Sequence, residues 1–212
     1  MALALVLEKT RELALRDIDI DLTLGDCDVR IAMDVVGICG SDVHYYRHGS
    51  IGPFIVKKPM ILGHEGAGTV IACGANVHNL TVGDRVCVEP GVPDFASRPS
   101  RIGLYNLDPS LTFWATPPVH GCLTPDVVHP ANLTYKLPDN VSFAEGAMIE
   151  PWAGGLQAVH NTGVAAGDVA LVVGEGPSGM HVGLSAVSSG GWRVLNSDTA
   201  SPMLYIGLPR GA

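Results

Sequence analysis

The apolar run at residues 169–173, Val-Ala-Leu-Val-Val, stops at the turn Gly174-Glu175-Gly176-Pro177-Ser178-Gly179, and a small, helix-compatible stretch at 179–188 comes next. A buried strand, a glycine turn and a returning helix commit this segment to a parallel α/β arrangement. Glycines spaced G-x-G-x-x-G allow a tight turn, close approach of backbone to a pyrophosphate, and close packing of helix on strand. Asp198, 19 residues beyond Gly179, stands where an acid would accept hydrogen bonds from a ribose. Gly174, Gly176, Gly179 and Asp198 are therefore candidate dinucleotide-binding residues, and a carboxylate at 198 disfavours a 2′-phosphate, so NAD is expected over NADP. A doubly wound sheet takes two βαβαβ halves, yet only 33 of the 212 residues follow Gly179. The expectation is a partial nucleotide-binding domain, truncated on its C-terminal side, with an apolar strand edge left uncovered.

The residues before this turn read differently. Through residue 150, short β-compatible segments at 28–36, 67–73, 85–88, 126–129 and 134–137 are punctuated by Gly, Pro and Asp, which predicts a compact β-rich barrel. Helical periodicity begins at 142–159, where Ser142 and Glu145 have capping-box spacing. That helix would join a domain over residues 1–152 to a second over 153–212. Pro177 reads as part of the turn ahead of the last helix.

Two segments carry metal chemistry. Gly63-His64-Glu65 is followed by Gly66, Gly68 and Gly74. Neighbouring side chains on a regular strand point to opposite faces, so His64 and Glu65 can reach one ion only at a turn, which Gly63 and Gly66 permit. Cys39 lies between Gly37 and Gly40 just after an apolar segment, where a thiol is presented rather than buried. Cys39, His64 and Glu65 form a mixed sulfur, nitrogen and oxygen set suited to Zn2+, and three protein ligands leave a fourth position for water or substrate. The other cysteines, Cys27, Cys73, Cys87 and Cys122, are expected in the core as small apolar residues. Five scattered cysteines without a C-x-x-C pair suit reduced thiols.

Residues 37–46, 51–68, 82–86, 115–118 and 150–151, in that order, closely resemble the zinc-dependent polyol dehydrogenases of the medium-chain dehydrogenase/reductase superfamily. The xylitol dehydrogenase (D-xylulose reductase) and sorbitol dehydrogenase group is nearest. The resemblance implies an α/β fold with a β-rich part, a GroES-like β-barrel catalytic domain followed by a partial Rossmann domain. It implies that Cys39, His64 and Glu65 hold one catalytic zinc, with Glu150 completing the site directly or through water. Ser41 and His44 would serve a proton path from substrate hydroxyl to solvent, while Tyr45 and Phe113 would line the polyol pocket. Zinc would act as a Lewis acid on a secondary alcohol as hydride passes from the carbinol carbon to NAD. Many relatives carry four cysteines for a second, structural zinc in a lobe that spans 91–108 here and holds none, so one zinc per chain is expected.

Some features depart from the family pattern. Glu175 replaces a usual Ala and puts a carboxylate near the helix N-terminus that would bind the pyrophosphate, which lowers the expected affinity. Trp152, Gly154 and Gly155 alter the domain junction, and residues 199–212, with Pro202 and Pro209, do not continue as the expected helix. The reading is a polyol dehydrogenase that works only when the missing half is supplied; the alternative is a non-catalytic zinc-binding remnant.

Composition narrows the partners. Thirteen basic against 21 acidic residues give a net charge of −8 with no Lys/Arg cluster, so no nucleic-acid partner is expected. No apolar run approaches the roughly 18 residues of a membrane span. Residues 2–7 are apolar but lack a basic leader and give way to Glu8, Lys9 and Arg11, so a cytoplasmic location is expected. A small-molecule polyol is the expected partner, and a homo-oligomer is open to such a chain.

Overall fold

A computed structural model of the chain describes residues 2–174 and 176–198. Its backbone separates into two compact units, Met1–Met148 and Ile149–Ala212. The first opens with a hairpin of β1 (Ala2–Lys9) and β2 (Glu12–Ile18), which the sequence reading left unassigned. Ala4 and Val6 of β1 pack against Ile61, which accounts for the apolar character of this stretch. There follow β3 (Asp28–Gly37), α1 (Gly40–His48), β4 (Ser50–Ile51), β5 (Phe54–Ile55), β6 (Met60–Ile61), β7 (Glu65–Cys73), β8 (Arg85–Val88) and β9 (Gly91–Val92). The unit closes with the single turn α2 (Arg98–Arg101), β10 (Thr112–Phe113), β11 (Asp126–Pro130), β12 (Thr134–Lys136) and α3 (Phe143–Ala147).

The five segments expected to be strands are β3, β7, β8, β11 and β12, and they form one antiparallel sheet in the order β11-β3-β7-β8-β12. Val29, Ile31, Val70, Val86 and Cys122 are fully buried in its core. Burying each of the aliphatic side chains among them is worth about 1.5–3 kcal/mol relative to exposure. Among the remaining cysteines, Cys87 is buried, Cys73 is half-buried and Cys27 is exposed, against expectation. Cys27 sits in the turn before β3, where its carbonyl accepts the Ala131 N–H at 3.0 Å and fixes the backbone without burying the thiol.

The helix expected over 142–159 is two helices. The capping box is present: Glu145 N–H donates to Ser142 Oγ at 3.2 Å, and Ser142 N–H donates to Glu145 Oε2 at 2.7 Å. A continuous helix would need an N–H from residue 151 to the Ala147 carbonyl, and Pro151 has none. The chain breaks at Met148 and restarts as α4 (Ile149–Thr162).

The second unit contains α4, β13 (Val169–Val173), α5 (Pro177–Ser188) and β14 (Arg193–Ser197), with β13 and β14 parallel. The two helices cross closely: a Cβ on Gly155 would fall 2.7 Å from the His181 carbonyl carbon, and Trp152 Nε1 donates to Ser185 Oγ at 2.9 Å. Pro177 belongs to the helix and not to the turn, because its fixed φ suits the first helical position and its missing N–H would have no partner there anyway. Val172 is buried, while Val169, Leu171 and Val173 are exposed. The expectations at Glu175 and over 199–212 fall outside the described residues. Among the described residues, no helix is long and apolar enough to cross a membrane.

Candidate metal centre

Strand register brings two distant segments together. Gly37 at the end of β3 pairs with Glu65 at the head of β7. Position 37 has no room for a side chain, since a Cβ there would fall 2.1 Å from Glu65 Oε2. The chain then reaches Cys39, the extended N-cap of α1, with φ −75° and ψ 157°. On the second segment Gly63 adopts φ +87°, the left-handed backbone that takes His64 and Glu65 out of strand alternation. Gly66, expected to share that turn, instead leaves space for Met33, whose Cε would lie 2.6 Å from an added Cβ.

As a result, the Cys39 sulfur, a His64 ring nitrogen and a Glu65 carboxylate oxygen all lie within 4.8 Å of one another. His64 and Glu65 are buried and Cys39 half-buried. Donors at about 2.0–2.3 Å from a tetrahedral ion stand roughly 3–4 Å apart, so small side-chain rotations would close the set on zinc. It is the one group of three or more such side chains among the described residues. Burial pushes the Cys39 thiol up, and the Glu65 and Asp42 carboxylates add to this, while hydrogen bonds from Ser41 pull it down. A cation would replace that burden, because a coordinating thiol is deprotonated.

Asp42 is the residue that sequence reasoning missed. One of its carboxylate oxygens accepts the Cys39 N–H at 3.0 Å and the other accepts the Gly63 N–H at 2.9 Å, so one buried side chain ties both ligand segments together. Its spacing, three residues after the N-cap, is that of a capping box and was a readable signal. The neighbouring segment adds rigidity, with Gly121 and Cys122 donating their N–H groups to the carbonyls of Ile61 and Gly63 at 2.8 Å each.

Ser41 is bonded to Cys39 through both its hydroxyl and its N–H. Phe113 meets the His64 ring edge-on, with centroids 5.4 Å apart. Tyr45 is buried in a cluster with Leu7, Met60 and Leu62, and its phenol bonds to Thr116. His44 is exposed on α1. In the second unit, Glu150 lies in the first turn of α4 and Asp198 directly follows β14.

The glycine turn has the strand, turn and helix context expected of it. Gly174 takes φ +97° and donates its N–H to the Ser197 carbonyl at 2.7 Å, locking the end of β13 to β14. Gly176 caps α5, and a Cβ on Gly179 would fall 1.7 Å from the Gly174 carbonyl oxygen. No side chain could stand there without breaking the turn.

Hydrogen bonds hold the lobe that lacks cysteines. The buried Asp108 carboxylate accepts the Asp94 N–H at 2.6 Å and the Ser110 N–H at 3.1 Å. The Tyr105 hydroxyl donates to Glu89 at 3.1 Å, and burial together with that carboxylate pushes the phenol up to about 12.

Comparison with known proteins agrees with this picture. The chain is 54% identical over 203 residues to a D-xylulose reductase of Morganella morganii, covering 96% of this chain and 60% of that protein. It is 49% identical over 180 residues to the sorbitol dehydrogenase of Bos taurus, covering 85% of this chain and 51% of that protein. Among solved structures, an Escherichia coli oxidoreductase/dehydrogenase of unknown specificity superposes with a TM-score of 0.86 at 34% identity, covering 98% of this chain and 60% of that one. The chain thus spans half to three fifths of the length of these proteins. Residues 25–139 match the alcohol dehydrogenase GroES-like domain, and the chain belongs to that family.

Proposed function

We propose that this chain carries the metal-binding domain, residues 1–152, and part of the NAD-binding domain, residues 153–212, of a polyol dehydrogenase acting on xylitol or sorbitol. The observation that carries the reading is the convergence of Cys39, His64 and Glu65 within 4.8 Å at a point fixed by strand register. The names of the D-xylulose reductase and sorbitol dehydrogenase relatives support the substrate class.

The donor set fits zinc: one thiolate, one imidazole and one carboxylate, with a fourth position left for substrate. When bound, zinc supplies Lewis acidity toward a secondary alcohol, and NAD supplies the hydride acceptor. The chain's own residues then orient and move protons. Ser41 holds the Cys39 sulfur and begins a path that carries the hydroxyl proton to the exposed imidazole of His44. Phe113, packed edge-on against His64, walls the substrate side of that ligand, and Tyr45 on α1 lines the polyol pocket with it. Gly174, Gly176 and Gly179 cradle the pyrophosphate, and Asp198 accepts from the ribose, which favours NAD. A cytoplasmic setting keeps the Cys39 thiol reduced.

Metal analysis of the purified 212-residue protein, together with NADH formation from xylitol and sorbitol, tests the proposal. One zinc per chain, lost in Cys39→Ser, is expected of the 212 residues, and NADH production with either polyol is expected only once the rest of the nucleotide-binding domain is supplied in trans. Zinc bound without NADH production even then would leave a metal-binding module and overturn the catalytic reading.

A further inference from the structure

The candidate metal centre draws on His64. Two other histidines, His44 and His48, stand on α1 at the i, i+4 spacing by which helical histidine pairs bind zinc. Both are exposed, and their rings face each other with centroids 4.6 Å apart and planes tilted by 46°. Nitrogens bound at about 2.0–2.1 Å to one tetrahedral ion lie roughly 3.3 Å apart, a separation that two rings at this spacing reach through their near edges.

The helix end is held in place independently of any ion. Gly49 caps α1 in the left-handed conformation with φ 73° and donates its N–H to the Tyr45 carbonyl. The Arg11 N–H, from the turn between β1 and β2, donates to the Tyr46 carbonyl at 2.7 Å. The carbonyl end of a helix carries partial negative charge, which favours a cation there. Arg47 in the same turn opposes it, but it is exposed and solvated.

We propose that His44 and His48 form a second metal site, distinct from Cys39, His64 and Glu65, that takes a borderline divalent transition ion such as Ni2+, Cu2+ or Zn2+. Two imidazoles with water in the remaining positions favour these ions over Mg2+ and Ca2+, which prefer oxygen. Occupancy would tie the last turn of α1 to the ion. The site does not depend on the dehydrogenase reading, because it needs neither substrate nor cofactor.

Ni2+ titration by calorimetry, on protein already carrying one equivalent of zinc, tests the proposal. One Ni2+ equivalent should bind at least about a hundredfold more tightly than a single imidazole holds it, as expected for two linked donors. His48→Gln and His44→Gln should each abolish that equivalent, while His78→Gln, at a solitary exposed histidine, should leave it. Amide exchange at residues 44–49 should slow on Ni2+ addition in the parent chain and not in His48→Gln. Equal binding by parent and His48→Gln, loss in only one of the two pair variants, or unchanged exchange at 44–49 would each overturn the site.

Discussion

Replacing Asp42 with Asn separates the support of the metal centre from its ligands. The native carboxylate offers one oxygen to each of two N–H groups, Cys39 at 3.0 Å and Gly63 at 2.9 Å. Asparagine keeps one acceptor and turns the other into a donor, so one N–H loses its partner and faces another N–H in a buried place. A hydrogen bond to a charged acceptor is worth about 1.5–3 kcal/mol, and the donor left behind adds a desolvation penalty of about 1–3 kcal/mol. A loss of roughly 3 kcal/mol in stability is expected, enough to read as a shifted guanidinium midpoint. Removing the charge works the other way by easing ionisation of Cys39, but Asp42 is the least of the influences on that thiol, so the lost bonds should dominate. Because the same residue fixes both ligand segments, zinc affinity should fall about 10–100-fold, the range for partners that orient metal ligands. Chelator competition measures this, with Asp42→Glu as a comparison that keeps the charge and moves its oxygens. Parent-like zinc affinity and an unshifted midpoint in Asp42→Asn would refute the reasoning.

Burial lowers His129 to about 4 while its ring nitrogen bonds the Glu89 carbonyl at 2.8 Å. Between that value and an ordinary histidine near 6.5 the unfolded chain holds a proton that the folded chain refuses, so stability should fall by up to about 3 kcal/mol as pH drops through that window. Unfolding curves across the window should show this slope, and His129→Gln should flatten it. In the second unit, Gly179→Ala puts a methyl 1.7 Å from the Gly174 oxygen; the turn must shift, at a cost of about 1–3 kcal/mol or more, and NADH binding followed by fluorescence should be lost. Gly155→Ala gains up to about 1 kcal/mol in helix propensity but meets His181 backbone at 2.7 Å. Overpacking against backbone should exceed that gain, so thermal unfolding followed through Trp152 and Trp192 should move to lower temperature.

Much of the candidate site was legible because its signals are local. Gly63, His64 and Glu65 are consecutive, and the need for a left-handed turn follows from the alternation of strand side chains; Gly63 supplies it at φ +87°. The glycine turn at 174–179 is local too, and the parallel pair β13 and β14 frames it as its spacing required. The hairpin β1–β2 escaped notice for the opposite reason. Its strand character depends on Ile61, far along the chain, to bury Ala4 and Val6. Cys27 was misplaced because burial of a cysteine next to a strand is a tertiary property, decided here by a turn that holds the backbone and leaves the thiol outside.

The break at Met148 and the role of Asp42 mark two different limits. The break needed only one known rule, that Pro151 cannot donate to the Ala147 carbonyl, weighed against an apolar pattern that continued through it; periodicity reports which face is buried and not whether the backbone ladder is whole. Asp42 needed more. Its capping position toward Cys39 was visible from spacing, but its second bond reaches Gly63, 21 residues away, and exists only because β3 and β7 align Gly37 with Glu65. A one-residue slip in that register would move Glu65 to the other face and leave Asp42 with one partner. The candidate metal centre is therefore a consequence of strand pairing as much as of its three donors, and the residue that couples the pairing to the donor set, Asp42, is not one of those donors.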